Sequence, residues 1–272
     1  MARTRKRLVL KRLSKKDHVA WLTLNRPEKR NALSEDLMNQ LIADLKEISD
    51  NTDIRVIVLS AAGSSFCSGL DLYDLRGDSA QFHRWGRPGS TREIVHLLRM
   101  APQVTIAAVQ GYCLGGGLVL ANACDLAIAA DTAQLGMPEV LRGSYGAVAT
   151  PTLFHSGIPN KIAFYIQLVG RNLDGAESAR VGLVSQVVPE KELAKSVRAL
   201  ALEIGTRHPV TLAHAKIAAY TERDLPFYEA MQADELISHR MRFYMDPLDD
   251  VKSYLKSQKG GGNVKYKKPD AK

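Results

Sequence analysis

From Val104 to Ala130 the chain is apolar almost throughout, and three consecutive glycines, Gly115-Gly116-Gly117, interrupt it. Such a triplet is costly inside a strand or helix, because glycine loses more backbone freedom on ordering than any other residue. It lets the main chain turn sharply and approach a neighbour closely. The stretch therefore reads as a buried strand, a tight turn and an apolar helix. The first N–H groups of that helix have no partner within it and carry the positive end of its dipole. Such a place suits a developing oxyanion. It suits equally well a turn that packs helix on sheet. With Gln110 and Asp125 also breaking the run, no apolar segment approaches the ~20 residues that cross a bilayer.

A second glycine-containing loop, AAGSSFCSGLDL (61–72), follows IRVIVL (54–59), a continuous apolar run that marks a strand buried on both faces. Upstream, RLVLKRL (7–13) and HVAWLTL (18–24) read as strands separated by the polar turn SKKD, and Pro27 ends the second. Ser34 then caps a helix whose Leu37, Leu41, Leu45 and Ile48 share one face. The order is β-β-α-β, and a similar strand–helix alternation returns at 104–130. Residues 76–90, polar and aperiodic, read as a mobile loop. From 190 the pattern is almost wholly helical. The expected division is an α/β core over 1–190, a helical oligomerisation region over 191–258 and a basic flexible tail over 259–272. Helices with apolar faces and no sheet of their own bury them against the core or a partner subunit, so an oligomer is expected.

Composition narrows the function by exclusion. The chain has 45% apolar and 24% charged residues, as ordinary soluble globular proteins do. The start, MARTRKRL, is basic but lacks the apolar core of a secretory signal. Cys67, Cys113 and Cys124 show neither CxxC spacing nor a paired framework, which suits a reducing compartment, the cytoplasm or an organelle matrix. Cys113 and Cys124 read as small core hydrophobes. There is no phosphate-binding GxxxxGK[ST] loop, no HExxH and no GxSxG elbow, and the seven histidines lack metal-ligand spacing. Leu120 stands where a GxGxxG dinucleotide fingerprint needs its last glycine. No metal is expected. The net charge of +8, much of it at the two ends, suits a solvated tail, attraction of an anionic ligand such as a nucleotide phosphate, or attraction of nucleic acid, and charge alone does not choose between them. Nucleic acid and membrane are not expected as partners.

Taken together in order and spacing, four segments resemble the crotonase (enoyl-CoA hydratase/isomerase) superfamily. They are NRPEKRNAL (25–33), SSFCSGLDL (64–72), GYCLGGGLVLANACDLAIAADTAQLGMPEV (111–140) and GLVSQVVP (182–189). The resemblance covers about residues 7–255. It implies a repeated ββα spiral core, a helical trimerisation region and a homotrimer or homohexamer. It also implies an acyl-CoA thioester substrate, with coenzyme A entering as part of that substrate and no other cofactor. By position, Leu70 and Gly116 would give the two N–H groups of an oxyanion hole. Lys29, Arg30 and Ala32 would line the adenosine and phosphate path. Ser68, Asp71 and Leu72 would lie beside pantetheine and adenine. Read alone, Lys29 and Arg30 fit a solvated turn, and Asp71 fits a loop cap.

Hydratases of this family use two glutamates, one three residues after the middle glycine and one twenty residues further on. Here those positions are Val119 and Glu139. Valine cannot handle a proton, so the resemblance implies chemistry on Glu139 alone. One carboxylate suffices to move a proton between two carbons, which converts a 3-enoyl to a 2-enoyl thioester. A carboxyl in an apolar pocket has its pKa raised toward the working pH, as general acid–base work requires. Hydration with a single base is the near rival. Tyr145, six residues past Glu139, could reach the acyl pocket or simply pack. Position 147, aspartate in dienoyl-CoA isomerases, is alanine here. Hydroxycinnamoyl-CoA hydratase-lyases anchor the substrate phenol with a tyrosine at the position of Leu75, although Tyr73 is nearby. Other crotonase reactions (such a hydratase-lyase, a decarboxylase or a thioester hydrolase) and a non-catalytic CoA- or RNA-binding homologue are the alternatives.

Overall fold

The computed structural model describes residues 7–72 and 90–245, with 251, 252 and 255. The tail, Tyr73, Leu75 and nearly all of the expected loop at 76–90 lie outside these residues.

Strands β1 (Val9–Ser14) and β2 (Val19–Leu24) form an antiparallel pair, Val9 opposite Leu24. Helix α1 (Glu35–Ser49) then crosses over to β3 (Val56–Ala61), which lies parallel to β2. The expected cap is present, with Ser34 Oγ accepting from the Leu37 N–H at 3.3 Å. The face made by Leu37, Leu41, Leu45 and Ile48 is fully buried. Helix α2 (Thr91–Met100) precedes β4 (Val104–Val109), which is parallel to β3. The short β5 (Tyr112–Leu114) and α3 (Gly116–Ala123) lead to β6 (Leu126–Ala130) beside β4. Parallel neighbours need such crossovers, and helices α1, α2 and α3 pack on one another as they make them.

Beyond β6 come β7 (Gln134–Gly136), the helices α4 (Ala149–Phe154) and α5 (Asn160–Phe164), β8 (Leu173–Asp174), α6 (Gly175–Arg180) and β9 (Gln186–Val188). The main sheet has the order β1-β2-β3-β4-β6-β9. A second sheet, β5-β7-β8, carries the chain on either side of the glycine triplet. Sequence periodicity does not reveal it, because two- and three-residue strands hold no repeat to read.

Helix α7 (Leu193–Gly205) opens the helical part of the sequence, yet it packs on β2, β3, β4 and β6. Arg55, buried, donates to the Gly205 carbonyl at 2.8 Å and so fixes the end of α7. Helices α8 (Pro209–Glu222) and α9 (Phe227–Met241) pair with each other. A buried lysine on α8 holds the pair to the core. Lys216 Nζ donates to Leu98 O at 2.8 Å and Gln103 O at 2.9 Å, and faces Asp125 Oδ2 at 2.8 Å. Helix α9 buries no residue and leaves Phe227, Tyr228, Met231 and Leu236 exposed.

Candidate active site

The site forms where the loop after β3 lies along β5. The Cys67 N–H donates to Tyr112 O and the Leu114 N–H to Cys67 O, both at 2.9 Å. This seats the loop against the start of α3 so closely that a β-carbon on Gly117 would overlap the Cys67 carbonyl. Glycine is therefore required at 117 by the packing of helix on loop.

Gly69 (φ +104) and Gly115 (φ +51) hold the left-handed conformations that allow the two turns to meet. A β-carbon on Gly116 would stand 3.4 Å from the Leu70 nitrogen, and one on Gly69 would stand 3.6 Å from the Gly116 nitrogen. The two N–H groups named from the sequence are thus brought side by side. Leu33 takes up the backbone groups flanking Leu70: it donates to Gly69 O at 2.8 Å and accepts from the Asp71 N–H at 3.0 Å. Neither the Leu70 nor the Gly116 N–H meets a backbone carbonyl among the described residues. The Leu70 side chain points to solvent, 42% exposed, so the backbone group is what this position offers.

Glu139 lies on a 3-10 turn, Pro138–Arg142, that begins immediately beyond β7. Its carboxyl lies between two glycines from different segments. A β-carbon on Gly115 would overlap Oε1, and one on Gly146 (φ +68) would come within 3.3 Å of Cδ. Oε2 is buried and has no hydrogen-bond partner. Burial raises the Glu139 pKa above the ordinary carboxylate range, opposed by a backbone hydrogen bond and by the Arg142 charge. The Ser144 N–H, donating to Glu139 O at 3.1 Å, closes the turn behind it. A base with a raised pKa, one unpartnered oxygen and two free N–H groups nearby can carry a proton next to a developing oxyanion.

The remaining named residues divide by role. Asp71 is buried and pairs with Arg26 at 2.5 Å. The pair ties NRPEKRNAL to the Gly69 loop. Asn31 (φ +54), which the sequence did not single out, is the other tie, donating to Ala62 O and Ser65 O at 2.8 Å each. Lys29 is exposed, Ala32 half-buried, and Arg30 places its guanidinium 5.2 Å from the Tyr112 ring centre. The Ser68 N–H donates to Arg30 O at 3.0 Å, and Leu72 is exposed at the end of the loop. Val119 is 1% exposed and packed in the core, so it offers no polar group to the site. Tyr145 is 59% exposed, its carbonyl accepting from Thr150 Oγ1 at 3.2 Å. The described residues contain no cluster of three or more His, Cys, Asp or Glu able to hold a metal.

Sequence reasoning missed Gly146 and Arg26. Gly146 stands seven residues past Glu139 without any motif of its own; only its left-handed φ and its contact with the carboxyl reveal it. Cys113 and Cys124 are buried and free, in agreement with the reading of small core hydrophobes; Cys67 is buried as well, and burial pushes the Cys67 and Cys124 thiols up to about 12.

Two glycine turns that present paired N–H groups beside a half-buried glutamate, on a parallel sheet with helical crossovers, define a protein of the crotonase class. Comparison with known proteins agrees. The enoyl-CoA hydratase/isomerase family model matches residues 14–244, and the chain belongs to that family. It is 33% identical over 243 residues to the (E)-benzylidenesuccinyl-CoA hydratase of Thauera aromatica, covering 88% of this chain and 93% of the relative. It is 32% identical to the mitochondrial Delta(3,5)-Delta(2,4)-dienoyl-CoA isomerase of Homo sapiens, over 80% of this chain and 70% of that one. A crystal structure of enoyl-CoA hydratase from Mycobacterium smegmatis superposes with a TM-score of 0.86 at 25% identity, covering 93% of this chain and 97% of the other. The chain is an enzyme of the hydratase/isomerase type, and no helix among its described residues is long and apolar enough to cross a membrane.

Proposed function

We propose that this enzyme moves a proton along an enoyl-CoA thioester, with Glu139 as its single acid–base group and the Leu70 and Gly116 N–H groups as the oxyanion hole. The observation that carries this reading is the half-buried Glu139 carboxyl itself: raised in pKa, and with a buried Oε2 that meets no hydrogen-bond partner among the described residues. In a 3-enoyl thioester the carboxylate takes a proton from the carbon next to the carbonyl. The electron pair delocalises over the carbonyl oxygen and the former double bond. The two N–H groups hold the oxygen's negative charge, and a donor of this kind is worth ~2.7–4 kcal/mol in the transition state. Glu139 then returns the same proton to the far end of the former double bond, and the product is the 2-enoyl thioester. Atoms and charge balance without water, metal or redox cofactor.

Single-base hydration of a 2-enoyl thioester is the second reading, favoured by relatives that carry hydratase names. The absence of an acid at Val119 puts isomerisation first. Arg30, Lys29, Ala32, Ser68, Asp71 and Leu72 are proposed to line the path of the CoA moiety, with Tyr145 at the acyl end. The exposed apolar face of α9 supports assembly as a trimer or a pair of trimers.

The test is deuterium incorporation from D2O into 2-enoyl- and 3-enoyl-CoA thioesters, with product analysis. Exchange next to the carbonyl that disappears in Glu139→Gln, while thioester binding stays within several fold, is expected. Full turnover in Glu139→Gln would remove the assigned base.

A further inference from the structure

Arg142 has no task in the chemistry described above, and its placement is unusual. It is the last residue of the 3-10 turn that carries Glu139. In a 3-10 helix side chains three apart eclipse one another, so Arg142 stands on the same side of the turn as Glu139, about 6 Å further along its axis. Its side chain forms no hydrogen bond or ion pair with any described residue, and the residue is exposed. A bare cation here opposes the burial that raises the Glu139 pKa and so weakens the base. An acyl tail ending in a methyl group would gain nothing from that arrangement.

The geometry points to Arg142 as a specificity-determining residue that binds a carboxylate on the distal end of the acyl group, so that the favoured substrate is a short dicarboxylic acid linked to CoA through one end. The inference rests on the proposed placement of the thioester at Leu70 and Gly116 and of its reacting carbons at Glu139. On that placement, an acyl chain that continues past the carboxyl along the turn next meets Arg142. A guanidinium can meet a carboxylate with two parallel N–H donors, which a lysine cannot do as well. Pairing would also cancel the Arg142 charge felt by Glu139. The base would then be at its strongest when the correct acyl group is bound.

The test pairs thioesters of equal length that differ in the terminal group alone. Binding is measured calorimetrically with the saturated adipyl-CoA and hexanoyl-CoA. Turnover is followed with hex-3-enedioyl-CoA and hex-3-enoyl-CoA, on the full chain and on Arg142→Gln and Arg142→Lys. The wild-type protein is expected to favour the carboxylate-bearing member of each pair by roughly 10- to 100-fold, the range of one charged hydrogen-bonded pair. Arg142→Gln should lose that preference and keep its activity on the methyl-ended thioester within about threefold, whereas Arg142→Lys should retain part of it. With hex-3-enoyl-CoA, Arg142→Gln should also move the acidic limb of kcat/KM to higher pH, because the charge that lowers the Glu139 pKa is gone. Equal binding of adipyl-CoA and hexanoyl-CoA by the wild type, or equal loss on both thioesters in Arg142→Gln, would overturn the assignment. Absence of turnover with either 3-enoyl thioester would count against the proposed isomerase reaction, while the two binding ratios would still decide the role of Arg142.

Discussion

The Glu139 carboxyl, the proposed base, occupies a space that its neighbours leave open. Glycine at 115 and at 146 leaves room for the carboxyl, and nothing polar meets Oε2. Gly146→Ala would place a methyl group 3.0 Å from the Met137 terminal carbon and 3.3 Å from Glu139 Cδ, on a backbone at φ +68. A displaced carboxyl loses its alignment with the reacting carbons, and a misplacement of about 1 Å can cost about a hundredfold in rate. Gly146→Ala should therefore lower kcat by roughly 10- to 100-fold with KM changed only a few fold, as steady-state kinetics would read. A large rise in KM with kcat unchanged would show that Gly146 shapes binding instead. The raised Glu139 pKa also has a sign in stability. A carboxyl whose pKa is higher in the folded than in the unfolded chain stabilises the fold below the ordinary glutamate value of about 4.3, and this is lost as pH rises through the raised value. Glu139→Gln should therefore match the wild type in acid and become the more stable protein toward neutral pH, in denaturant titrations across that window. Equal stability of the two at every pH would mean that the carboxyl is solvated in the folded chain.

Elements are joined to one another here by a few buried polar groups, and Lys216 is the clearest case. Its side chain is 6% exposed, and Asp125 is shared between it, the Tyr220 hydroxyl at 3.0 Å and the Thr105 N–H at 2.7 Å. Desolvation lowers the lysine pKa while Asp125 opposes the shift. Removing one member of a buried ion pair strands the other, at a cost of ~3–5 kcal/mol. Lys216→Met should lower the melting temperature by on the order of 10 °C and loosen α8 and α9 first, which hydrogen exchange would resolve. An unchanged melting temperature would mean that water replaces the lysine. The Glu139 turn has a comparable support. A π-helical turn, Tyr165–Val169, packs behind it, and Gly170 approaches Leu141 too closely to admit a β-carbon without a shift.

Across the chain as a unit, apolar side chains remain uncovered on two surfaces. One is the face of α9, and the other includes Leu141, Phe164, Leu168 and Val169 beside the Glu139 turn. Exposed apolar side chains gathered on an element in this way are candidates for an interaction site. Sedimentation equilibrium should give a trimer or hexamer mass, and Phe227→Asp with Leu236→Asp on α9 should shift the population toward monomer. A wild-type monomer at micromolar concentration would remove the oligomer from the proposal. Among the described residues the last strand is β9 (Gln186–Val188), α7 packs on the main sheet, and α8 and α9 pair with each other and are tied to the core through Lys216.

What the residues settle by themselves is local. The apolar runs at 54–59 and 104–109, the Ser34 cap and the glycine triplet dictate strand, helix start and turn, because each depends on a residue and its near neighbours. Glu139 could be named from its spacing to the triplet, and Val119 from the acid it lacks. Only the tertiary structure brought the Leu70 N–H beside Gly116, set Gly146 against the carboxyl and tied Arg26 to Asp71. The first and last of those contacts join segments tens of residues apart and the second folds a turn back on itself, and no periodicity or propensity encodes which atom fills such a space. The freedom of Arg142 from any partner among the described residues belongs to the same class: the charge is written in the sequence, but its lack of a counter-ion is a property of the fold.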